Sequence, residues 1–378
     1  MELQIERVSL LNSLSMVQGI VERRNTVPIL GHVLLEPNGA KLKLSATDLE
    51  VGIRTEVACE PVGKSPLTLN ARKLFEIVRE AEGDKVALKS LENDWVEIKC
   101  GRARFKMMGL DPRSFPAMPS KSTQGSEGTR KAAKAELKVA ATILAGMIDK
   151  TLFAVSPDEA RYNLSGVFVE SPESGSLRMV ATDGHRLALV DREVPGFSMQ
   201  GGTIIPRKGM AELRKLLDQA GDEMVELVID GQLAWLRRGS TEVSMRLVEG
   251  EFPDYRGVIP KDSRYHIPVV REALASAIKR AAIFSNERYH GVKLSFAAGS
   301  LTVSSTSPEM GEASETMDVD FTGDEFSVGF NASYVQQVLG VLQAESKAVL
   351  GLSDEVSPGV ITTPSDTGYQ YVVMPMRL

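Results

Sequence analysis

The sequence predicts an α+β protein made of three tandem copies of one plan, each copy containing two units of strand, helix and further strands. Three observations carry this. A Thr/Ser/Asp cluster ends an alternating stretch three times, as Ser45-Ala46-Thr47-Asp48-Leu49, Ala181-Thr182-Asp183-Gly184-His185-Arg186-Leu187 and Ser304-Ser305-Thr306-Ser307-Pro308. A Gly-led strand lies just upstream of each, starting at Gly31, Gly166 and Gly291. The separation is 135 residues from Gly31 to Gly166 and again from Asp48 to Asp183, and 125 from Gly166 to Gly291. A constant offset at two landmarks is a repeat signal, here at the scale of a domain. Finally, six helix-period stretches are interleaved with antiparallel-type strands, which places helices on one face of the sheets.

Copy one opens with a strand over Leu3, Gln4, Ile5 and Glu6. A helix follows with Leu10, Leu11, Leu14, Val17 and Val21 on one face, ending near Arg23 and Arg24. Strands at 32–36 and 41–46 meet at Asn38-Gly39, a strong hairpin signal. After Leu67-Thr68-Leu69 comes a helix carrying Leu74, Ile77 and Val78, then strands at 96–99 and 104–107 around Gly101, and the copy closes at Phe115-Pro116. Copy two repeats this with a strand at Leu137-Lys138-Val139 and a helix carrying Ile143, Leu144, Met147 and Ile148. A hairpin at 167–182 and the strand Thr203-Ile204-Ile205 come next. A helix from Pro206-Arg207-Lys208, with Leu213, Leu216 and Leu217, leads to strands at 233–237 and 243–247. It closes at Phe252-Pro253, 137 residues after Phe115-Pro116. Copy three has a strand at His266-Ile267 and a helix with Val270, Ala273, Leu274, Ala277, Ile278 and Ala281. A hairpin at 291–305, a helix at 331–344 and two last strands complete it. The expected domains are 1–120, 135–260 and 261–378, with a polar, Gly/Ser-rich linker at 121–134.

A length of 378 residues suits two or three domains at roughly 150 residues each. With 43% apolar, 25% charged and 6% aromatic residues, the composition is that of a globular protein. No apolar run approaches the ~18 residues of a membrane span, and the N-terminal MELQIERVSLL has charges where a signal peptide has its apolar core. A cytoplasmic location without membrane association is expected. The two cysteines, Cys59 and Cys100, form no Cys-x-x-Cys pair, and the four histidines show no metal-ligand spacing. No cofactor is expected. A net charge of −6 argues against a protein that simply coats nucleic acid.

Several motifs together resemble one family, the bacterial DNA polymerase III β subunit, or β sliding clamp. They are Thr182-Asp183-Gly184-His185-Arg186-Leu187, Phe252-Pro253-Asp254-Tyr255-Arg256, Pro206-Arg207-Lys208-Gly209, Ser285-Asn286-Glu287 and the terminal Tyr371-Val372-Val373-Met374-Pro375-Met376-Arg377-Leu378. The resemblance covers the whole chain in one register. It implies three tandem DNA-clamp domains forming half of a ring, closed as a head-to-tail homodimer around double-stranded DNA without reading its sequence. It also implies a non-enzymatic processivity factor with one pocket per chain for the replicative polymerase, the clamp loader, and repair polymerases or ligase. A ring need not grip phosphates tightly, so a negative total is compatible with basic residues gathered on the helices that face DNA. By helix position these are Arg23, Arg24, Arg72, Lys73, Lys150, Arg207, Lys208, Arg214, Lys215, Lys279 and Arg280; Arg24, Arg207 and Lys208 match positions the family uses for DNA.

The resemblance places the partner pocket at Leu164, Thr182, Gly184, His185, Arg186, Leu187, Pro253, Val258, Val356, Val372, Met374, Pro375, Met376, Arg377 and Leu378. For ring closure it sets Lys73, Arg102, Arg104 and Phe105 of copy one against Ile283, Phe284, Glu309, Glu312 and Glu315 of copy three in the other chain of the dimer. Two readings stand beside it. Asp183 and His185 suggest a hydrolase's acid and orienting carboxylate, although no nucleophile elbow, Walker loop or Gly-x-Gly-x-x-Gly accompanies them. A monomeric scaffold with no DNA role is the other. The tail, with two methionines, a proline and a terminal leucine, supports an adaptable interaction surface on its own composition.

Overall fold

A computed structural model describes residues 2–21, 26–63, 65–119, 135–158, 160–218, 220–286 and 289–378. Arg23, Arg24, Glu287 and the linker at 121–134 lie outside the described residues. The first repeat contains β1 (Glu2–Glu6), α1 (Arg7–Val17), β2 (His32–Asn38), β3 (Lys41–Thr47), β4 (Val51–Ala58), a short β5 (Glu60–Val62), β6 (Leu67–Asn70), α2 (Ala71–Glu80), β7 (Lys85–Ser90), β8 (Trp95–Cys100) and β9 (Ala103–Met108). The second contains β10 (Ala135–Ala140), α3 (Ala141–Thr151), β11 (Gly166–Glu170), β12 (Ser176–Thr182), β13 (Arg186–Glu193), β14 (Gly202–Pro206), α4 (Arg207–Leu216), β15 (Met224–Asp230), β16 (Leu233–Arg238) and β17 (Thr241–Arg246). The third contains β18 (Tyr265–Val270), α5 (Arg271–Ala281), β19 (Gly291–Ala297), β20 (Ser300–Ser307), β21 (Gly311–Asp318), β22 (Phe326–Asn331), α6 (Ala332–Val341), β23 (Lys347–Leu352), β24 (Gly359–Thr363) and β25 (Asp366–Val373).

Apart from β5, the order is strand, helix and three strands, six times over. In every repeat the two units exchange their first strands. β6 pairs with β2 and β1 with β7; β14 pairs with β11 and β10 with β15; β22 pairs with β19 and β18 with β23, all antiparallel. Each four-stranded set therefore presents its unit's last strand as an edge. Two pairs of those edges are zipped together, β4 to β17 and β13 to β25, giving two eight-stranded sheets. The sheets ending in β9 and in β21 continue no further among the described residues.

The described chain divides into two compact units, 1–145 with 208–247 and 146–207 with 248–378. In the first, Leu10, Leu14 and Val17 of α1 and Leu74 and Val78 of α2 are buried with Leu3, Ile5, Leu42 and Leu44 from the strands. In the second, Leu274, Ala277 and Ile278 of α5 and Val335, Val338 and Leu339 of α6 play the same part. The starts of α2 and α6 are set by strand-terminal asparagines. The Asn70 side chain accepts the Lys73 N–H at 3.0 Å, and that of Asn331 accepts the N–H groups of Ser333 and Tyr334 at 2.9 and 3.3 Å. Such a cap satisfies helix donors that otherwise lack a partner.

Two expectations shift. Helix α1 ends at Val17 rather than near Arg23; Gln18 caps it, Gly19 comes next, and Ile20 and Val21 reach the core from the turn beyond, so they fit the helical spacing without being helical. In the Asn38-Gly39 hairpin the two-residue loop is Gly39-Ala40, because Asn38 still pairs with Lys41. Gly39, at φ +61°, takes its first position.

Candidate functional site

The Thr-Asp turn at 182–186 and its echo at 47–51 are the same structure. Thr182 Oγ1 donates to Arg186 O at 2.6 Å and accepts the Gly184 N–H at 3.1 Å; Thr47 Oγ1 donates to Val51 O and accepts the Leu49 N–H, both at 3.0 Å. Asp183 Oδ1 accepts the N–H groups of His185 and Arg186 at 2.9 and 3.1 Å, and Asp48 Oδ1 those of Glu50 and Val51 at 3.0 and 2.7 Å. Both turns hold their third residue in the left-handed region, Gly184 at φ +89° and Leu49 at φ +83°. The hydrolase reading is overturned here. Asp183, buried, spends its second oxygen on Arg186 Nε at 3.0 Å, so its carboxylate holds a turn together and does not orient an imidazole. The exposed His185 ring stacks toward Tyr334, with centroids 6.5 Å apart. Among the described residues no group of His, Cys, Asp or Glu stands close enough to hold a metal ion.

Beside this turn lies an apolar hollow of about 190 Å³, lined by Leu164, Thr182, Gly184, Arg186, Leu187, Pro253, Asp254, Tyr255, Val258, Val372 and Met374. Its floor exists because β13 and β25 are zipped: Leu187 pairs with Val372, so their side chains emerge side by side on one face. Val180, Leu187, Leu189, Tyr255 and Val372 form one buried cluster, with Phe168, Phe252 and Ile259 packed on it. Polar residues hold Tyr255 from behind. Its hydroxyl donates to Glu170 and accepts from Arg178 Nη1 at 3.1 Å; Arg178 clasps Asp191 at 2.6 and 2.7 Å, and Arg256 meets both Glu170 oxygens at 3.0 Å. Burial first, and then the bond to Glu170, raise the Tyr255 phenol above its ordinary value. The hydroxyl therefore stays protonated as a donor.

A second hollow, lined by His185, Tyr289, Asn331, Tyr334, Met374, Pro375 and Met376, shares Met374 with the first. The tail is tied along it, with the Met374 N–H on His185 O and the Met376 N–H on Gly329 O, both at 2.9 Å. Arg186 braces the wall between the hollows. It donates to Asp183, to Gln337 and to Phe153 O at 2.7 Å, and its guanidinium lies 4.3 Å from the Tyr334 ring centroid.

Of the fifteen residues expected here, Leu164, Thr182, Gly184, Arg186, Leu187, Pro253, Val258, Val372 and Met374 line the first hollow, and His185, Pro375 and Met376 join Met374 in the second. Val356, Arg377 and Leu378 line neither. Tyr255, Asp254, Tyr334, Tyr289 and Asn331 are additional. Tyr255 was legible in principle: it stands in Phe252-Pro253-Asp254-Tyr255, whose echo is Phe115-Pro116-Ala117-Met118.

That echo shows why the β4–β17 zipper is a different surface. The residues equivalent to Val180, Leu187, Leu189, Val372 and Tyr255 are Ser45, Gly52, Arg54, Ser244 and Met118, as the pairings Ser45–Arg54 and Gly52–Ser244 establish. Met118 lies so close over Gly52 that a Cβ there would meet its methyl at 2.4 Å. Arg54 holds the segment down through Met118 O and Pro119 O at 2.6 and 2.9 Å. Four of the five positions have lost their apolar side chain, and the fifth is filled by the chain itself.

The expected DNA-facing residues are placed less uniformly. Arg207 is exposed. Lys150 and Lys208 each meet a carboxylate, Asp366 and Asp48 respectively. Arg72, half-buried, reaches Val21 O at 3.4 Å. Of the residues expected between copies, Arg102 and Arg104 are exposed and Phe105 half-buried on or beside β9. Glu309 and Glu312 are exposed, Glu315 pairs with Arg280 at 2.5 Å, Lys73 with Glu76 at 2.7 Å, and Ile283 is exposed next to Phe284.

Models of the DNA polymerase III beta subunit match in succession: the N-terminal domain at 1–119, the central domain at 138–254 and the C-terminal domain at 256–377. The β sliding clamp of Caulobacter vibrioides (strain NA1000 / CB15N) is 38% identical over 384 residues, covering 100% of both chains. That of Escherichia coli (strain K12) is 36% identical over 380 residues with the same coverage. A crystal structure of a DnaN sliding clamp from Pseudomonas aeruginosa bound to griselimycin matches 100% of both chains at 36% identity and a TM-score of 0.90. With three successive domains matched and full-length relatives well above 30% identity, the chain belongs to the DNA polymerase III β-subunit family, the bacterial β sliding clamps.

Proposed function

We propose that this chain acts as a non-enzymatic processivity clamp: two copies close head to tail around duplex DNA, and the apolar hollow tethers the replicative polymerase, the clamp loader and repair proteins by a short peptide. The observation that carries the ring is the pairing rule of the sheets. The last strand of a repeat's first unit zips to the last strand of the next repeat's second unit, β4 to β17 and then β13 to β25. Applied once more, the rule joins β21 of the third repeat to β9 of a following chain, and among the described residues these are the two unit-closing strands that pair with no other unit's closing strand. Exposed edges of this kind are templates for pairing. Their charges oppose, with Arg104 and Lys106 on β9 and Glu312, Glu315 and Asp318 on β21, which selects the partner edge more than it adds affinity. Because the two edges differ, the contact is heterologous and completes a ring only if its rotation closes. Closure with two copies is the family's arrangement.

DNA contact falls in this reading to Arg24, Arg72, Lys150, Arg207 and Lys208, through phosphates only. Lys150 and Lys208 would exchange a carboxylate for a phosphate as DNA passes, which suits loose, sliding contact. The hollow takes apolar side chains, since its lining is almost wholly carbon apart from Thr182, Arg186 and Asp254. A cytoplasmic location, with the DNA it serves, belongs to the same reading. No described helix is long and apolar enough to cross a membrane. The deciding experiment loads the protein on a nicked circular DNA and then linearises it. A clamp withstands high salt on the circle and leaves the linear form; equal loss from both refutes the ring.

A further inference from the structure

We propose that Gly329 positions the tail wall of the second hollow, the one lined by Tyr334 and Met376, with Gly291 beside it seating the terminal Leu378. This rests on the reading of the hollows as the site for a bound peptide. The tail is tied at two separate points, the Met374 N–H on His185 O and the Met376 N–H on Gly329 O. Met374 lines both hollows, whereas Pro375 and Met376 line the second. The tie at His185 therefore serves the first hollow, and the tie at Gly329 decides where the wall of the second stands.

What the tail demands of β22 is the absence of a side chain. Gly329 and Gly291 are diagonal neighbours on β22 and β19, since Gly329 pairs with Lys293 and Gly291 with Asn331. Neither has a left-handed φ, so the backbone conformation does not call for glycine at either position. Close approach does. A Cβ on Gly329 would stand 2.5 Å from Met376 O and 2.8 Å from Leu378 Cγ and Cδ1, and one on Gly291 would run into Leu378 Cδ2. Leu378, which lines neither hollow, thus lies against a groove floored by two glycines. The other repeats supply the contrast. Counting back from the strand's last residue, the equivalents of Gly329 are Thr68 on β6 and Ile204 on β14. There too the chain leaving a repeat's last strand is tied, with the Leu110 N–H on Thr68 Oγ1 at 3.0 Å and the Val248 N–H on Ile204 O at 2.9 Å. The third repeat alone lacks a side chain at this position, so its crossing backbone comes closer to the strand than a Cβ allows.

The test compares the native protein with Gly329→Ala, Gly291→Ala and, as a control, Gly146→Ala, whose added Cβ would meet nothing within 4 Å. Two probes are titrated: acetyl-Leu-Phe amide, sized for the first hollow, and an amidated decapeptide with Leu-Phe at its centre, which extends beyond that hollow in both directions. Gly329→Ala must push a backbone carbonyl aside, so it should weaken the decapeptide about five- to fiftyfold, the range of an overfilled contact, and leave the short probe within about twofold. Gly291→Ala displaces only the end of a side chain and should cost the decapeptide under about threefold. Amide exchange supplies the structural half: the Met376 N–H should exchange about tenfold faster in Gly329→Ala, with the Met374 N–H as in the native protein. The control should change neither. An equal loss of both probes, or a decapeptide held within about twofold of native by Gly329→Ala, overturns the positioning role and leaves the pocket reading standing. Unchanged Met376 exchange in Gly329→Ala overturns the groove itself. Failure of the native protein to bind either probe overturns the pocket reading, and the proposal with it.

Discussion

Exchanging the third residues of the two Thr-Asp turns isolates the cost of one backbone conformation. Leu49 and Gly184 hold the same left-handed φ, +83° and +89°, inside the same set of hydrogen bonds. For a residue with a Cβ that conformation costs about 1–2 kcal/mol. Leu49→Gly removes the strain but frees the unfolded chain, which offsets about 0.4–1 kcal/mol. The Leu49 side chain is half in solvent, so little packing is lost. The net expectation is a gain of about 0.5–1 kcal/mol, a rise of roughly 1–3 °C in the melting temperature. Gly184→Ala reverses every sign. Its added Cβ would also stand 3.1 Å from Arg161 Nη1, the end of a flexible side chain that gives way cheaply. A loss of about 0.5–1 kcal/mol follows. Calorimetry gives the global sign, and amide exchange over 47–51 and 182–186 localises it. If both substitutions move stability in the same direction, the equivalence of the turns is refuted.

Three further outcomes follow from the site. Arg186→Ala leaves Asp183 buried without its cation and should cost about 3–5 kcal/mol, read by urea denaturation, where Arg104→Ala on exposed β9 should cost under about 1. Asp366 is desolvated, which alone would raise its pKa, but the bonds from Arg192 and Lys150 outweigh burial and hold the carboxyl below its ordinary value. A depressed acid stabilises the fold above its unfolded pKa of about 3.9 and loses that contribution as pH falls through the folded value. Asp366→Asn should therefore lower stability by about 1–3 kcal/mol at pH 7, with the gap to the native protein closing below about pH 4 in a pH series of thermal melts. Deleting residues 374–378 removes the shared wall of both hollows and should abolish binding of an anchored peptide. Sedimentation should still show the dimer, because the tail is no part of the expected β9–β21 contact; retained binding would count against the pocket assignment.

The sequence alone determined whatever depends on neighbours along the chain. The Thr-Asp turns were legible because such a turn is closed by residues two to four positions apart, and the three-fold repetition because those turns recur at near-constant offsets. Pocket residues on those turns, Thr182 to Leu187, and on the tail, Met374 to Met376, were legible for the same reason, with the family resemblance supplying their company. Some features had no local signal. Strands β4, β13 and β21 follow so closely on their hairpin partners that periodicity alone merged or missed them. The exchange of first strands within each repeat, and the zipping of β4 to β17 and β13 to β25, join segments that lie far apart in the chain. Backbone hydrogen bonds along an edge are the same for any sequence, so residue types do not announce which edges meet. Only the folded chain placed Leu187 beside Val372 and Tyr255 over both, creating the apolar hollow. It also placed Met118 over Gly52, leaving the equivalent zipper a different surface.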